Sequence, residues 1–472
     1  MRAFFIGAIQ KTDLEVNMRE VYVAKVARLP FAAVEQVGKR NFKSYLLKKL
    51  LKSGKLTKEE LPKKAAEIVG RANKFLEELP RLEEETGLSI SAEYPPNEGH
   101  FSKIPAADLA LIMVDALFKD FGQDSAKVRE LVDVFFLGTV IAHKTERLAA
   151  HAFAKVIALR GGIKHAHSLT EDKACSSALK AIGLAYDAVA NHGAEFAVAG
   201  GVDKMDGVPD SFVRLGLTDP FSGKLMAGLA DQVALEKKLT RGELDDYAYG
   251  SYERAAIWQG RHRFIAPVRV SDNLIVARDE EVDKYRVNEM FKKILSNMPT
   301  YPESEKEGAA LCSLVGAGNS AKYASGGGLF LLADKKGLKK LKLDPLAKIL
   351  AYAEASGPEP KNFIVEPEEA IEKTFAMSGV PKMSWEKIGH FEINEAFAVG
   401  NILLMKKRNI PRDRMNRRGG AIAHGHAIGG TLGATGAKAV DIALADKDRY
   451  YELAACNAVD EATAMLLENP YA

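Results

Sequence analysis

Cysteine is scarce in this chain: Cys175, Cys312 and Cys456 are the only three among 472 residues. None belongs to a Cys-x-x-Cys pair, so a structural zinc site built on cysteine is disfavoured. A sparse and odd set also argues against a disulfide framework and for a reducing compartment, with the cytoplasm as the default location. A chain of this length can bury a large core without covalent staples.

Long apolar runs and an excess of one charge sign are also missing. The longest purely apolar runs, such as Leu109–Val114, are far too short to cross a bilayer. Lysine and arginine total 66 against 63 acidic residues, and this balance excludes nucleic acid as the main partner. The first residues show no signal-peptide pattern. With 47% hydrophobic and 27% charged residues, the composition excludes a wholly disordered or fibrous chain.

From residue 104 onward the sequence alternates between helical and strand patterns, which is typical of layered α/β proteins. In chain order the predictions are a helix over Ala106–Phe118, a strand over Val132–Val140, a helix over Ala174–His192, strands over Glu195–Gly200, Gly327–Leu332 and Leu346–Ala353, a helix over Glu366–Gly379, a strand over His390–Ile393, a helix over Gly433–Ala445, and strands over Tyr451–Cys456 and Thr463–Glu468. Residues 206–318 interrupt this pattern with less regular, proline-containing sequence, which indicates an inserted loop domain.

From Lys39 to about Gly87 the composition of the chain changes. Lysines crowd the first half and glutamates the second, while leucines such as Leu46 and Leu50 recur at helical spacing. The pattern predicts two or three amphipathic helices. A solvated helical insertion is the favoured interpretation, and a basic face for phosphates, a membrane or a partner protein is the alternative.

Cys175 lies where a loop turns into an alanine-rich helix. A helix N-terminus carries partial positive charge and free N–H donors, which favour a thiolate. We therefore expect a lowered pKa and nucleophilic character for Cys175. A small apolar cysteine at a tight helix start is the structural alternative.

Two further motifs end predicted strands. Asn394 and Glu395 follow a buried strand and open a helix, and ligands in α/β sheets gather at such strand ends. Helix capping by Asn394 is the structural alternative. Cys456 ends a later strand, where a core cysteine in a hairpin is the alternative.

The fourth motif is the glycine-rich stretch 416–431, which carries His424 and His426. Its glycines imply strained turns or close backbone approach, and one histidine held there is a good general base. The two histidines could also be a metal pair, but no third ligand is near in sequence. A dinucleotide-binding loop fits poorly, because the stretch lacks the preceding strand and the full glycine fingerprint.

Taken in order, these motifs resemble those of the thiolase family. That family has a nucleophilic cysteine, then Asn-Glu-Ala-Phe, then Gly-Gly-Ala-Ile-Ala-x-Gly-His, then a terminal Cys-x-Gly-Gly. Cys175, Asn394–Phe397, Gly419–His426 and Cys456 match these four motifs in sequence order. Arg28–Phe31 also matches the family's early Arg-Thr-Pro-Phe.

The resemblance implies an α/β fold with five layers, α-β-α-β-α, built from two similar halves with an inserted loop domain. The implied domains are an N-terminal extension 1–18, a first half at 19–205 plus 319–336 that carries the insertion 32–100, a loop domain 206–318, and a second half at 337–472. It also implies a homodimer or a dimer of dimers. A partner enzyme of fatty-acid oxidation is a candidate for binding the insertion.

The resemblance further implies acyl transfer to and from coenzyme A through a cysteine thioester. Cys175 would be the nucleophile, and His426 would take its proton. Cys456 would act as the second acid and base, and Asn394 would hold a water beside the thioester. No metal and no cofactor are implied, since coenzyme A enters as a substrate.

Other residues would bind the substrate. The backbone N–H groups of Cys175 and Ala458 would form an oxyanion hole, and Met226, Ser320 and Phe397 would contact the acyl-CoA. Thiolysis of a 3-ketoacyl-CoA and Claisen condensation of two acetyl-CoA molecules both remain open.

Two other functions compete with this interpretation. A thiolase-like acyl-CoA-binding or scaffold protein with weak turnover is the alternative, because Ala458, Val459 and Asp460 stand where the family has glycines. A related condensing enzyme would carry histidines in place of Asn394 and Cys456. A serine hydrolase is disfavoured, since the chain has no Gly-x-Ser-x-Gly.

Overall fold

The computed structural model describes residues 18–35, 98–145, 152–284, 286–304, 306 and 308–472. The amphipathic helices expected within residues 39–87, and nearly all of the N-terminal extension, lie outside the described residues. The account below concerns the described parts of the chain.

Fifteen strands occur in the described residues, and most are predominantly buried. They are β1 Val21–Arg28, β2 Ala32–Glu35, β3 Glu98–Gly99, β4 Val134–Gly138, β5 His167–Glu171, β6 Phe196–Asp203, β7 Val268–Ser271, β8 Leu274–Val276, β9 Thr300–Pro302, β10 Leu311–Gly316, β11 Ala324–Asp334, β12 Ala347–Ser356, β13 Ile388–Ile393, β14 Tyr450–Asn457 and β15 Glu461–Glu468.

The α-helices of the same residues alternate with these strands. They are α1 Ala106–Phe118, α2 Ser125–Glu130, α3 Ala142–Thr145, α4 Phe153–Arg160, α5 Ser177–Asn191, α6 Asp210–Leu215, α7 Met226–Glu236, α8 Arg241–Trp258, α9 Glu280–Asp283, α10 Glu289–Ser296, α11 Lys335–Leu341, α12 Pro367–Met377, α13 Ala398–Arg408, α14 Ala421–His424 and α15 Thr431–Asp446. None of these helices has the length and apolarity that crossing a bilayer requires.

Most strands belong to one mixed sheet, with the order β13-β14-β15-β12-β1-β11-β6-β4-β5. A first half, β1, β11, β6, β4 and β5, meets a second half, β12, β15, β14 and β13, at the pairing of β1 with β12. That pairing is short and antiparallel, and runs from Val21 opposite Ile349 to Val23 opposite Ala347. The two halves therefore share one hydrogen-bonded ladder and do not form two separate sheets.

Alternate residues of the strands enter different cores, because successive side chains point to opposite faces. In β11, Leu329 and Leu331 pack with α1 and α4. Its Phe330 and Leu332 pack with α5 and α15, in a core that also receives Tyr451 of β14. On the far face of the second half, apolar residues of β12 and β14 pack against α12 and α13. From one side to the other, the layers are helices α1 and α4, the first half of the sheet, helices α5 and α15, the second half of the sheet, and helices α12 and α13. This is the five-layered fold expected from the sequence.

The ends of the expected helical insertion differ from the sequence interpretation. Residues 32–35 and 98–99 are the strands β2 and β3, which pair Val34 with Gly99. β2 also continues onto β11, with Ala32 opposite Ser325. β2 and β3 therefore form a two-stranded ribbon that is joined to the main sheet through β11. Sequence periodicity missed it because β2 and β3 are very short and their pairing spans more than sixty residues.

Candidate active site

Cys175 lies two residues ahead of α5, in a turn that hydrogen bonds hold in place. Ala174 before it has a φ of +48°, in the left-handed region that alanine rarely adopts. The Ser177 hydroxyl donates to the Ala174 carbonyl at 2.7 Å. The Ser176 hydroxyl donates to the Ala455 carbonyl of β14 at 3.3 Å. These bonds fix the strained turn and set Cys175 beside the strand that carries Cys456.

Gly425 allows the histidine loop to approach the start of β11. Its φ is +101°, and a Cβ there would lie 2.6 Å from the Cβ of Ala324. The His426 N–H donates to the Lys322 carbonyl at 2.7 Å, and the Ala324 N–H donates to the His426 carbonyl at 3.3 Å. A side chain at residue 425 would push the loop away, so glycine is required for the position of His426.

The imidazole of His426 joins Cys175 to Thr431. Its Nε2 lies 3.1 Å from the Cys175 Sγ, and its Nδ1 lies 2.7 Å from the Thr431 Oγ1. The single Thr431 hydroxyl hydrogen is donated to the Ala427 carbonyl at 3.0 Å. Thr431 Oγ1 therefore accepts from Nδ1–H, which leaves Nε2 unprotonated and able to accept the thiol hydrogen. Sequence reasoning missed Thr431, although its hydroxyl at the start of α15, five residues after His426, was a usable signal.

Burial sets the protonation of the pair. It raises the pKa of the Cys175 thiol well above its usual range, and the neighbouring Cys456 raises it further. Burial also lowers the pKa of His426 to about 4. The expectation of a lowered pKa for Cys175 is therefore wrong, since α5 begins only at Ser177 and desolvation outweighs the helix N-terminus. At neutral pH the pair is a neutral thiol and a neutral imidazole, poised for proton transfer as the sulfur attacks.

A small cavity of about 90 Å³ gathers most of the predicted site residues. Its walls include Cys175, Met226, Phe397, His426, Cys456 and Ala458. Ser320 is placed differently: it is buried, and its hydroxyl donates to the Gly316 carbonyl at 2.9 Å. Its neighbour Ala321 contributes to the wall in its place.

Asn394 approaches Cys456 from another side. It follows β13 and lines an adjacent cavity of about 410 Å³, in which Cys456 is again part of the wall. Its side chain is buried, and neither amide atom has a hydrogen-bond partner within the described residues. The structure thus brings Cys175, His426 and Cys456 around one cavity and Asn394 around the next. A buried amide with two unused groups is suited to hold a water or a polar part of a ligand.

The turn after Cys456 is built without the glycines of the family pattern. Val459 and Asp460 have φ values of +60° and +61°. The Asp460 carboxylate accepts from the Glu359 N–H at 2.9 Å, and its carbonyl accepts from the Gly357 N–H at 2.8 Å. Contacts with residues 357–359 therefore hold a left-handed turn that β-branched valine would otherwise disfavour.

Asp203, at the end of β6, fixes the backbone on one side of the site. It is fully buried and accepts hydrogen bonds at 2.9 to 3.1 Å from the N–H groups of Val140, Ile141, Ala142 and Gly429. Its carboxylate therefore ties the histidine loop to the segment after β4. Sequence reasoning missed this role, which requires residues far apart in the chain.

Glu395 fixes the backbone on the other side of the site. Its carboxylate accepts from the Tyr247 hydroxyl at 2.9 Å, the Ser251 hydroxyl at 2.7 Å and the Asn416 amide at 2.8 Å. These bonds link α8, the start of the glycine-rich stretch and the end of β13. Glu395 is thus a positioning residue for the loop that carries His426.

His424 points away from the cavity. Its Nδ1 lies 3.1 Å from the Asp279 carboxylate, and its Nε2 donates to the Arg418 carbonyl at 2.9 Å. A metal pair with His426 therefore has no support. Within the described residues, no group of three histidine, cysteine or carboxylate side chains could hold a metal ion.

Comparison with known proteins agrees with the fold and with the resemblance to the thiolase family. The model of the thiolase N-terminal domain matches residues 93–213, and that of the thiolase C-terminal domain matches residues 343–469. A probable acetyl-CoA acyltransferase of Staphylococcus aureus (strain MRSA252) is 28% identical over 357 residues, which are 70% of this chain and 85% of that protein.

Solved structures share the fold at low identity. Human mitochondrial 3-ketoacyl-CoA thiolase superposes with a TM-score of 0.72 at 21% identity, over 96% of this chain and 99% of that one. The acetyl-CoA acetyltransferase of Bacillus anthracis gives 0.71 at 19% identity, over 96% and 99% of the two chains. Because the two family models together match more than half of the sequence, the chain belongs to the thiolase family and is an acyltransferase enzyme.

Proposed function

We propose that this enzyme transfers acyl groups to and from coenzyme A through a thioester on Cys175. The observation that carries the proposal is the 3.1 Å contact between Cys175 Sγ and His426 Nε2, with the tautomer set by Thr431. A neutral thiol beside a neutral, correctly oriented imidazole is the starting state for nucleophilic attack with general-base assistance. Cys456 in the same cavity supplies a second thiol for proton transfer.

In the thiolysis direction, Cys175 Sγ attacks the keto carbon of a 3-ketoacyl-CoA while its proton passes to His426. The bond between the keto carbon and the methylene carbon then breaks. Cys456 gives its proton to the departing acetyl-CoA carbanion, and the acyl group stays on Cys175. Cys456 then takes the proton of an incoming coenzyme A thiol, whose sulfur attacks the thioester. Acyl-CoA leaves, and His426 returns its proton to Cys175.

Claisen condensation is the same sequence in reverse. Two acetyl-CoA molecules enter, and Cys456 removes a proton from the methyl group of the second. In both directions the backbone N–H groups of Cys175 and Ala458 stabilise the oxyanion, and Asn394 holds a water near Cys456. Each backbone donor of this kind contributes about 3–4 kcal/mol to lowering a barrier.

Coenzyme A is a substrate in this scheme, and neither a metal nor a redox cofactor has a step. A solved structure of human mitochondrial 3-ketoacyl-CoA thiolase holds CoA. Met226 and Phe397 in the cavity wall are apolar contacts for the arm that carries the thioester.

We also propose the domain division 19–205 plus 319–336, 206–318 and 337–472. The strands of the first half lie in the first range, and those of the second half lie in the last. The segment between β6 and β11 carries α6 to α10 and only short strands, which fits a loop domain.

For assembly we propose a homodimer or a dimer of dimers. β5 is the last strand of the sheet order, and its Leu169 is 40% exposed. Such an edge can pair with a second copy. The free thiols suit a reducing compartment, and we propose the cytoplasm. A docking role of the insertion for an enzyme of fatty-acid oxidation stays a proposal.

The experiment is incubation with labelled acetyl-CoA, followed by mass spectrometry of the digested protein. We expect one acetyl group on the peptide that contains Cys175, and none in Cys175→Ala. Thiolysis of acetoacetyl-CoA should vanish in the same variant. An adduct only on Cys312 or Cys456 contradicts the assignment. Stable acetyl-CoA binding without any adduct or turnover would favour the acyl-CoA-binding or scaffold alternative.

A further inference from the structure

The cavity next to the catalytic one is more than four times larger, at about 410 Å³ against about 90 Å³. It lies between α13 and the segment before α12. Its walls are mainly apolar, with Ile364, Val365, Leu403 and Leu404 among them. A ligand pocket of this size and lining is typical for a molecule with a substantial hydrocarbon part.

Cys456 belongs to the walls of both cavities. Asn394 adds a buried amide with unused hydrogen-bonding groups to the wall of the larger one. The space beside Cys175 is the smaller of the two, at about 90 Å³. An acetyl group fits there, whereas a longer acyl chain on Cys175 needs further space, and the larger cavity lies directly behind Cys456.

The charges around the larger cavity are at its rim. Lys237, Lys406 and Lys407 are exposed there. Lys406 pairs with Glu243 and Lys407 with Glu368, so two of these cations are already neutralised. The interior has neither a lysine nor an arginine among its buried wall residues. The buried part of the cavity therefore offers apolar contacts for hydrocarbon and no cation for a phosphate group.

We propose that this cavity holds the alkyl chain of a medium-length 3-ketoacyl-CoA while its keto carbon lies at Cys175. The proposal rests on the proposed acyl transfer and names its substrate class. The chain attached to the keto carbon passes along Cys456 and lies between Leu403 and Val365. No bond changes in this cavity, so its contribution is to binding and orientation.

The first test is a series of 3-ketoacyl-CoA substrates with the unmodified enzyme. Burial of hydrocarbon strengthens binding, and 3-ketooctanoyl-CoA has four more carbons than acetoacetyl-CoA. Its kcat/KM should therefore exceed that for acetoacetyl-CoA by on the order of tenfold or more. A steady fall in kcat/KM from acetoacetyl-CoA to each longer substrate would overturn the proposal.

The second test alters the cavity. Leu403→Trp fills it, and we expect the ratio of kcat/KM for 3-ketooctanoyl-CoA over acetoacetyl-CoA to fall on the order of tenfold. Leu403→Ala should move the optimum to longer chains. Val365→Phe is an independent filling variant at a partly exposed position and should lower the same ratio. Unchanged ratios in folded filling variants would overturn the proposal.

Leu341→Trp is the control. Leu341 is a partly buried leucine of α11, which follows the end of β11 farthest from His426. The control should leave the substrate ratio unchanged, and a similar fall there would overturn the assignment to the cavity. Acetylation of Cys175 with turnover of acetoacetyl-CoA alone would overturn only this inference. Absence of any acyl group on Cys175 would overturn the proposed function as well.

Discussion

The histidine loop and the turn after Cys456 place two reactive side chains by opposite means. The loop uses glycine where a side chain would collide with neighbouring atoms, as at Gly425 and Ala324. The turn carries Val459 and Asp460 in left-handed conformations, and hydrogen bonds from residues 357–359 hold it. A close approach of two segments therefore requires glycine, whereas an unfavourable φ can be imposed on other residues when neighbouring contacts stabilise it.

The largest effect should come from breaking the close approach. Gly425→Ala combines left-handed strain with a contact of 2.6 Å to Ala324, so His426 must move. A shift of about 1 Å can cost on the order of 100-fold in rate, and we expect such a loss of kcat. Steady-state kinetics on the folded variant checks it.

Gly260→Ala is the matched control for Gly425→Ala. Its φ is +77°, but a Cβ there would meet no atom within 4 Å. It should lower stability slightly and leave kcat unchanged. An equal loss of kcat in both variants would show that left-handed strain, and not the close approach, decides activity.

A second prediction concerns the tautomer of the histidine in the loop. Thr431→Val removes the acceptor of the His426 Nδ1 hydrogen, so Nε2 is no longer held as the base. We expect kcat to fall on the order of tenfold or more, within the range for general-base assistance. Thr431→Ser keeps the hydroxyl and should restore most of the activity. Equal losses in both variants would assign Thr431 a packing role only.

The pH profile separates the two regions further. A protonated His426 cannot accept the thiol hydrogen, so acylation of Cys175 should be constant at neutral pH and fall below a midpoint of about 4. The group on the turn, Cys456, has its pKa raised by burial to about 12 and stays protonated over this range. Single-turnover acylation with labelled acetyl-CoA measures the curve, and a midpoint near 6.5 would contradict a buried neutral imidazole.

The lowered pKa of His426 also affects the free energy of unfolding. The folded-state pKa of His426, about 4, lies below the ordinary value of 6.5, so between these pH values the unfolded chain binds more protons. The free energy of unfolding is therefore unaffected by protonation of His426 above about pH 6.5, and it falls as the pH drops towards 4.

The smallest effect should come from relaxing the turn. Val459→Gly removes a β-branched side chain from a φ of +60°, and we expect the free energy of unfolding to rise by about 1 kcal/mol. Urea denaturation measures it. The same substitution at Val270, in the extended strand β7, should instead destabilise the protein. Destabilisation at both positions would mean that the turn is not strained.

Local pattern predicted most of the secondary structure. The helix expected over Ala106–Phe118 is α1 itself, and the other predicted helices and strands named above end within three residues of the observed ones. These elements have clear apolar periodicity, which depends on neighbouring residues only. The β2–β3 ribbon and the joining of the sheet at β1 and β12 escaped prediction, because both depend on pairing between distant segments.

The site shows the same division at the level of side chains. Residue types and their order along the chain singled out Cys175, Asn394, His426 and Cys456 as candidates. They could not show that burial keeps the thiol of Cys175 protonated, since desolvation depends on what surrounds it. Residue types and their order also could not show that Cys175, His426 and Cys456 line one cavity while Asn394 lines the next.

The sequence by itself indicated the alternation of helices and strands, the family and the candidate reactive residues, because motifs and periodicity are local properties. The order of the layers followed only from the resemblance to that family. Only the tertiary structure decided which nitrogen of His426 carries the hydrogen, since that depends on where the Thr431 hydroxyl donates its own hydrogen. It also decided that Asn394 lines the larger, adjacent cavity. Hydrogen-bond direction, desolvation and cavity shape arise from segments that meet only in the folded chain.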